Sequence, residues 1–366
     1  MTRSAPFALL GEDDDHEDEQ LWALCEAAEN LFADPPAPVR RRYELLGCAL
    51  EDPFEDGRNL LVLQELDRHG EAHREGWYLQ DVRILGSRPC ARDLTLLDVT
   101  VEAVRAEDQA RYPQRRPLSA GFLLTGAESE VLGRCRDLAE VVPPEDPPPH
   151  AVRLLGCTPY GPLRALLEGG RKRRLSHRVL QALDAEGARL ALLGHPDIVG
   201  SEPSPRGPGL YDMTVHMDPV PPVAADIWPL WHAGRPAEPN GWARFDAAGR
   251  DHWLGIALEH QDREAADRAA GATYHLDGRD VTDEAGFLCA LGEAMNGPGG
   301  YFGRNPSGVD DALRGRFGVT SPFTLVWHDH AVARRSLGTM PLTARPRSFS
   351  EILAHLREKG LTVVLA

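Results

Sequence analysis

The sequence predicts an α/β C-terminal domain, a small parallel three-stranded sheet with helices, preceded by two duplicated β-rich α+β modules. Three observations carry that expectation. From residue 272 onward, short apolar strands alternate with helix-period segments, the pattern of a parallel sheet with crossover helices. Between residues 39 and 230 similar strand-glycine motifs recur at a fixed offset. The length of 366 residues suits two or three domains, with 42% hydrophobic and 26% charged residues, ordinary values for a globular chain.

In chain order, residues 1–38 read as an acidic N-terminal helix. The run GEDDDHEDEQ (11–20) would favour a helix start through the macrodipole, and Leu21, Leu24, Cys25, Ala28, Leu31 and Phe32 would form the buried face. Residues 39–140 form the first β-rich repeat module, with YELLGCAL around Gly47, VRILGSRPC around Gly86 and LTLLDVTVEAV. Residues 151–234 form the second, with VRLLGCTPY around Gly156, LALLGHPDI around Gly194 and GLYDMTVHMDPV. The paired glycines lie 109 and 108 positions apart, and Cys48 matches Cys157 as a small buried thiol. The Pro-rich VVPPEDPPPH (141–150) reads as a stiff linker between the copies.

Residues 235–241 read as a second linker. Residues 241–270 read as a hairpin turning at D-A-A-G, followed by a connecting helix from Glu259 to Ala270. In 271–366, ATYHLDG is a strand and DEAGFLCALGEAMN a helix with Phe287, Leu288, Leu291 and Met295 on one face. SPFTLVWHDH is a buried strand. SFSEILAHLREKG is a Ser-capped helix facing inward through Ile352, Leu353 and Leu356. LTVVLA reads as a strand buried on both faces.

Charge narrows the partners. Residues 271–366 hold ten acidic and ten Lys/Arg side chains, so the net charge of −16 belongs to residues 1–270. Such a chain is suited to a basic protein and ill suited to general nucleic-acid binding. The basic stretch EGGRKRRLSHR (168–178) lacks interleaved aromatics and reads as a solvated helix start or an internal partner for the acidic regions. Six scattered cysteines read as reduced thiols in the cytoplasm. The start has too short an apolar patch for a signal peptide, and no apolar run approaches the ~18 residues that suggest a membrane span.

Catalytic motifs are missing: there is no P-loop, G-x-S-x-G, H-E-x-x-H or dinucleotide fingerprint, so the chain reads as a non-enzyme without cofactor or metal. His328-Asp329-His330 alternate faces at a strand end and cannot converge on one metal. The stretch that stands out is GPGGYFGRNPSGVDDAL (297–313), a Gly-rich loop with a Tyr-Phe pair that runs into a helix carrying Asp310 and Asp311. Ser307 and Asp310 fit a capping box, and that local role alone would account for Asp310. Tyr301 reads instead as a contact residue.

On the Tyr301-Phe302-Gly303-x-Asn305 loop, the aspartates after it, the strand containing Trp327, and the order and length of the elements, the last quarter of the chain resembles the barstar family. These are intracellular inhibitors of barnase-type ribonucleases. The resemblance implies partner-binding residues: Tyr301 as the aromatic contact, Gly303 and Asn305 in the loop, Asp311 as the carboxylate that enters the enzyme's phosphate site, and Glu358 as a second acidic contact. Ser307 stands where the family commonly has an aspartate, Asp310 where it has a tryptophan, and Pro306 where it has a large apolar residue. These departures bear on which ribonuclease is bound. The partner implied is a basic ribonuclease or ribonuclease toxin. The alternative is a regulatory or scaffold protein whose duplicated modules bind another ligand and whose terminal domain no longer binds a ribonuclease.

Overall fold

The computed structural model of the protein describes residues 5–13, 16–51, 58–105, 120–126, 130–142, 148–169, 176–262, 264–337 and 347–366. They fall into two compact units. One lies within residues 36–147, and the other is built from the first 35 residues together with the chain after 148.

The chain opens with β1 (Phe7–Asp13), β2 (His16–Cys25) and β3 (Ala27–Glu29). This corrects the expectation of an N-terminal helix. Trp22, Ala23 and Cys25 are buried, whereas Leu21 and Phe32, both assigned to the buried helix face, are exposed. The apolar residues of 21–32 satisfy helical spacing in isolation. Pairing with β1 (Leu9 opposite Ala23, Phe7 opposite Cys25) buries a different set, and strand preference depends on that context. Side chains 12–19, most of the acidic run, lie outside the described residues.

The 36–147 unit contains β4 (Arg40–Leu50), β5 (Arg58–Leu66), β6 (Ala72–Cys90), β7 (Asp93–Arg105), β8 (Gly121–Thr125), β9 (Val131–Cys135) and β10 (Asp137–Val142). The sheet runs β10-β4-β7-β6-β5-β8-β9, and a further β4–β9 pairing closes it into an antiparallel barrel. Closure gives β9 a strand partner on each side and leaves β10 paired with β4 alone. The interior holds Tyr43, Leu45, Leu61, Leu63, Leu79, Val101 and Leu124. At Gly47, with φ +62°, β4 bends and its register shifts. The Gly47 N–H donates to Oδ1 of buried Asp98 at 2.9 Å, and that bond holds the Asp98 carboxyl below the usual range.

The other unit continues with β11 (Ala151–Pro159), α1 (Gly161–Leu167), β12 (Ser176–Leu183), β13 (Arg189–Gly194), β14 (Asp197–Pro203) and β15 (Tyr211–His216). The antiparallel sheet order is β13-β12-β1-β2-β11-β15-β14, with β3 added to β11. Gly156 has φ +60°, and its N–H donates to Oδ1 of buried Asp212 at 2.9 Å. Burial opposes ionisation of Asp212, but hydrogen bonds from Ser204 and Gly156 outweigh it and keep the carboxyl low. Residues 170–175, the heart of the basic stretch, lie outside the described residues.

Next come α2 (Ala224–Trp231), a 3-10 turn at Gly241–Arg244 and α3 (Ala247–Glu259). The expected hairpin is therefore a helix. Asp246 accepts from the Gly249 N–H at 2.9 Å, so D-A-A-G is an N-cap and first turn rather than a β-turn. The helix expected from Glu259 to Ala270 does not form. Asp262 accepts instead from the N–H groups of Glu264 and Ala265, a local bond that competes with helix.

The terminal segment holds β16 (Thr273–Asp277), α4 (Glu284–Asn296), α5 (Pro306–Leu313), β17 (Thr324–His328), α6 (His330–Ser336), α7 (Phe349–Glu358) and β18 (Thr362–Leu365). Its three-stranded sheet is parallel, as the alternation of elements predicts, and the structure puts β17 in the centre. One detail differs: β18 is an edge strand, with Val363 buried and Val364 45% exposed. Trp327 on β17 packs against Phe287 of α4 and Phe349 of α7, with ring centroids 5.0 and 5.1 Å apart. One apolar core runs from Phe7 and Trp22 through Trp231, Trp253 and Leu254 to Phe287, Trp327 and Leu356. Among the described residues no helix is long and apolar enough to cross a membrane.

A candidate protein-binding face on the terminal segment

The loop after α4 leaves the helix at Gly297 (φ +77°) and reaches Tyr301, Phe302 and Gly303. Gly303 has φ +103°, and a Cβ there would lie 2.5 Å from the Val309 nitrogen, so the loop is pressed against the first turns of α5. The α5 N-cap is Asn305, whose side chain accepts from the Gly308 N–H at 2.8 Å, with Pro306 in the first turn. This replaces the expected Ser307–Asp310 capping box. Proline supplies no N–H and presets φ, so the chain enters the helix two residues earlier and leaves Ser307 exposed inside it.

The residues singled out from the sequence divide into three groups. Asn305, Ser307 and Asp311 are exposed along the loop and α5. Tyr301 is only 6% exposed and packs toward Phe317, at 6.0 Å between ring centroids, while Gly303 is buried. These two shape the loop from beneath. Asp310 turns toward α7, where its carboxylate meets His355 Nε2 at 3.0 Å and Lys359 Nζ at 2.6 Å. Burial opposes its charge, but Lys359 and His355 more than compensate and lower its pKa. Glu358 is exposed at the end of that same α7.

Asp311 has Arg314 at 2.5 Å, and both side chains are more than 60% exposed. Such an exposed pair is weak, about 1 kcal/mol or less, and Asp311 can exchange it for a better-placed cation. Arg304, in the middle of the motif, is drawn to α3 by a two-pronged ion pair with Asp251, at 2.9 and 2.5 Å. Its charge is thereby balanced within the molecule.

The same loop is gripped by residues that sequence reasoning missed. Arg235 donates to the backbone carbonyls of Asn296, Gly297 and Pro298, filling acceptors left open at the end of α4. Glu293 accepts from the N–H groups of Asn240 and Gly299 at 2.8 and 3.1 Å, and burial pushes its carboxyl up despite those bonds. Asn296 donates to the Tyr301 and Phe317 carbonyls. Arg235 and Asn240 lie in a stretch read as a linker, and nothing in its composition marks them. The pairings arise only once α2, α3 and α4 share a core.

His328, Asp329 and His330 diverge, though not by strand alternation: β17 ends at His328, Asp329 is the left-handed cap of α6 and His330 is its first residue. His328 Nε2 lies 2.9 Å from His275 Nδ1, and His330 Nδ1 lies 3.2 Å from the Ala366 carbonyl. Among the described residues no group of three or more His, Cys, Asp or Glu side chains is placed to hold a metal.

The terminal segment is thus a small parallel α/β layer that presents a loop and a capped helix, with the exposed Asp311 carboxylate on that helix. Residues 271–363 match the Barstar (barnase inhibitor) family model. No curated protein and no solved structure matches the chain.

Proposed function

We propose that this protein binds a barnase-type ribonuclease inside the cell that makes it and occludes the enzyme's active site with the loop-α5 face. The observation that carries the reading is the family match over 271–363, together with Asp311 as the exchangeable carboxylate on α5. A ribonuclease site holds phosphate with cationic side chains. A carboxylate on a helix can take that place through charge-assisted, two-pronged hydrogen bonds to arginine. Asn305 and Ser307 add polar contacts beside it, Glu358 a second acidic one, and Tyr301, Gly303 and Asp310 hold the face in shape. The test is inhibition of a barnase-type ribonuclease by the full chain and by its Asp311→Ala variant. Stoichiometric inhibition weakened about 10–100-fold by Asp311→Ala fits a lost charged hydrogen bond. No inhibition by the folded protein would refute the reading.

A second reading, a scaffold whose duplicated modules bind a ligand of their own and whose terminal domain no longer binds a ribonuclease, draws on Asp310, which the chain's own His355 and Lys359 engage. Under either reading we infer that the two β-rich sheets descend from one module. Supporting this are the equivalent bends at Gly47 and Gly156, each donating to a buried aspartate, and the related strand orders. In the second copy the places of β8, β9 and β10 are taken by β1, β2 and β3, so the module draws on the first 35 residues as well as 151–234.

A further inference from the structure

Each β-rich unit has a seam where strands distant in sequence meet, and each seam carries one cysteine on either side. In the 36–147 unit, β4 pairs with β9 at Ala49↔Arg134 and Leu50↔Gly133, so the next positions in register are Cys48 and Cys135. The same register resumes beyond them at Leu46↔Asp137. In the other unit, β11 pairs with β2 at Pro159↔Ala23 and Thr158↔Leu24, which puts Cys157 opposite Cys25. There too the register resumes, at Leu155↔Ala27.

All four cysteines are free thiols and at most 3% exposed. The facing thiol and burial push the Cys25 and Cys135 thiols up, while Cys48 Sγ donates to the Leu45 carbonyl at 3.3 Å. Residues directly opposite on antiparallel strands have Cα atoms about 4.5–5.5 Å apart. That lies inside the ~4.4–6.8 Å span of a disulfide, so neither seam need move to close one. The remaining cysteines are placed differently: Cys90 sits against Arg136 and Cys289 against the Arg250 carbonyl.

We propose that Cys25–Cys157 and Cys48–Cys135 are two oxidisable seams, each converted by a small-molecule disulfide into a cross-strand bond. One thiolate attacks the oxidant's S–S bond, forms a mixed disulfide and releases one small thiol. The second cysteine then displaces the other small thiol, so two protein thiols are oxidised, one small disulfide is reduced, and both protons leave on the small thiols. The raised Cys25 and Cys135 thiols stay protonated at rest. Exchange needs a thiolate, so it proceeds when a seam opens and is slow in the closed fold. Once formed, the bond joins strands far apart in sequence and holds the seam shut.

The experiment oxidises the full-length protein with oxidised glutathione over hours in mild urea, blocks remaining thiols, and maps peptides without reduction. Expected are two linked peptide pairs, Cys25 with Cys157 and Cys48 with Cys135, a mass loss of four hydrogens, and no retained glutathione. The thermal midpoint should rise by about 5–10 °C and return on reduction. Cys48→Ala should remove its own link and leave the other. Unreacted thiols, stable glutathione adducts at these cysteines, or links to Cys90 would overturn the proposal. None of these outcomes depends on ribonuclease binding.

Discussion

Replacing Gly303 by alanine tests how the candidate face is built. Its φ of +103° lies where side chains are strongly disfavoured, at a cost of about 1–3 kcal/mol. The new Cβ would also sit 2.5 Å from the Val309 nitrogen and 2.8 Å from the Gly308 carbonyl carbon. Both are backbone atoms in α5 and cannot swing aside, so the helix start must shift. That shift strains the Asn305 cap, a feature worth about 1 kcal/mol. Together these amount to about 2–4 kcal/mol. Gly297→Ala is the control: it too has positive φ, but a Cβ there meets nothing within 4 Å, so only the backbone cost of about 1–3 kcal/mol applies. The assay is urea unfolding of the full chain with hydrogen exchange at the Gly308 and Val309 amides. Gly303→Ala should lower stability more and speed exchange at those amides, while Gly297→Ala leaves them protected. Equal effects of the two substitutions would refute the packing argument.

Other expectations follow from buried polar groups. Asp98→Ala and Asp212→Ala should each cost about 1–3 kcal/mol, because each leaves the N–H of Gly47 or Gly156 without its carboxylate; denaturant melts of the single variants measure this. His252 accepts from Trp228 Nε1–H at 3.1 Å, and burial, aided by the Arg304 charge, lowers its pKa to about 4 from 6.5. Between those values the unfolded chain binds more protons, so stability is lost as pH falls from about 6.5 to about 4. At 1.36 kcal/mol per pH unit the loss reaches at most about 3 kcal/mol. His252→Gln should flatten that part of a stability-versus-pH curve, and an unchanged slope would contradict the assignment.

Where periodicity and partners agree, the sequence was legible. Strands β16, β17 and β18 and helices α4, α5 and α7 follow from their own patterns, whereas α6 is not among the expected elements and the expected start of α5, at Ser307, lies two residues beyond the Asn305-Pro306 start that forms. Where apolar spacing fits two structures at once, the tertiary structure decided. Residues 21–29 satisfy a helix in isolation but become strands because β1 and β11 lie beside them. D-A-A-G satisfies a turn but becomes a cap because Trp253, Leu254 and Ile256 have a core to enter.

The candidate site divides in the same way. The residue types at 301–311 and their order on a loop and helix are properties of the sequence by itself. Which carboxylate faces outward is not: Asp310 and Asp311 are adjacent, and only the approach of α7, with His355 and Lys359, turns one inward and leaves the other exposed. The grip of Arg235, Glu293 and Asp251 on the loop is likewise a product of packing. Arg235 and Asp251 lie far along the chain from the loop residues they hold, and hydrogen bonds between distant segments leave no periodic trace in either.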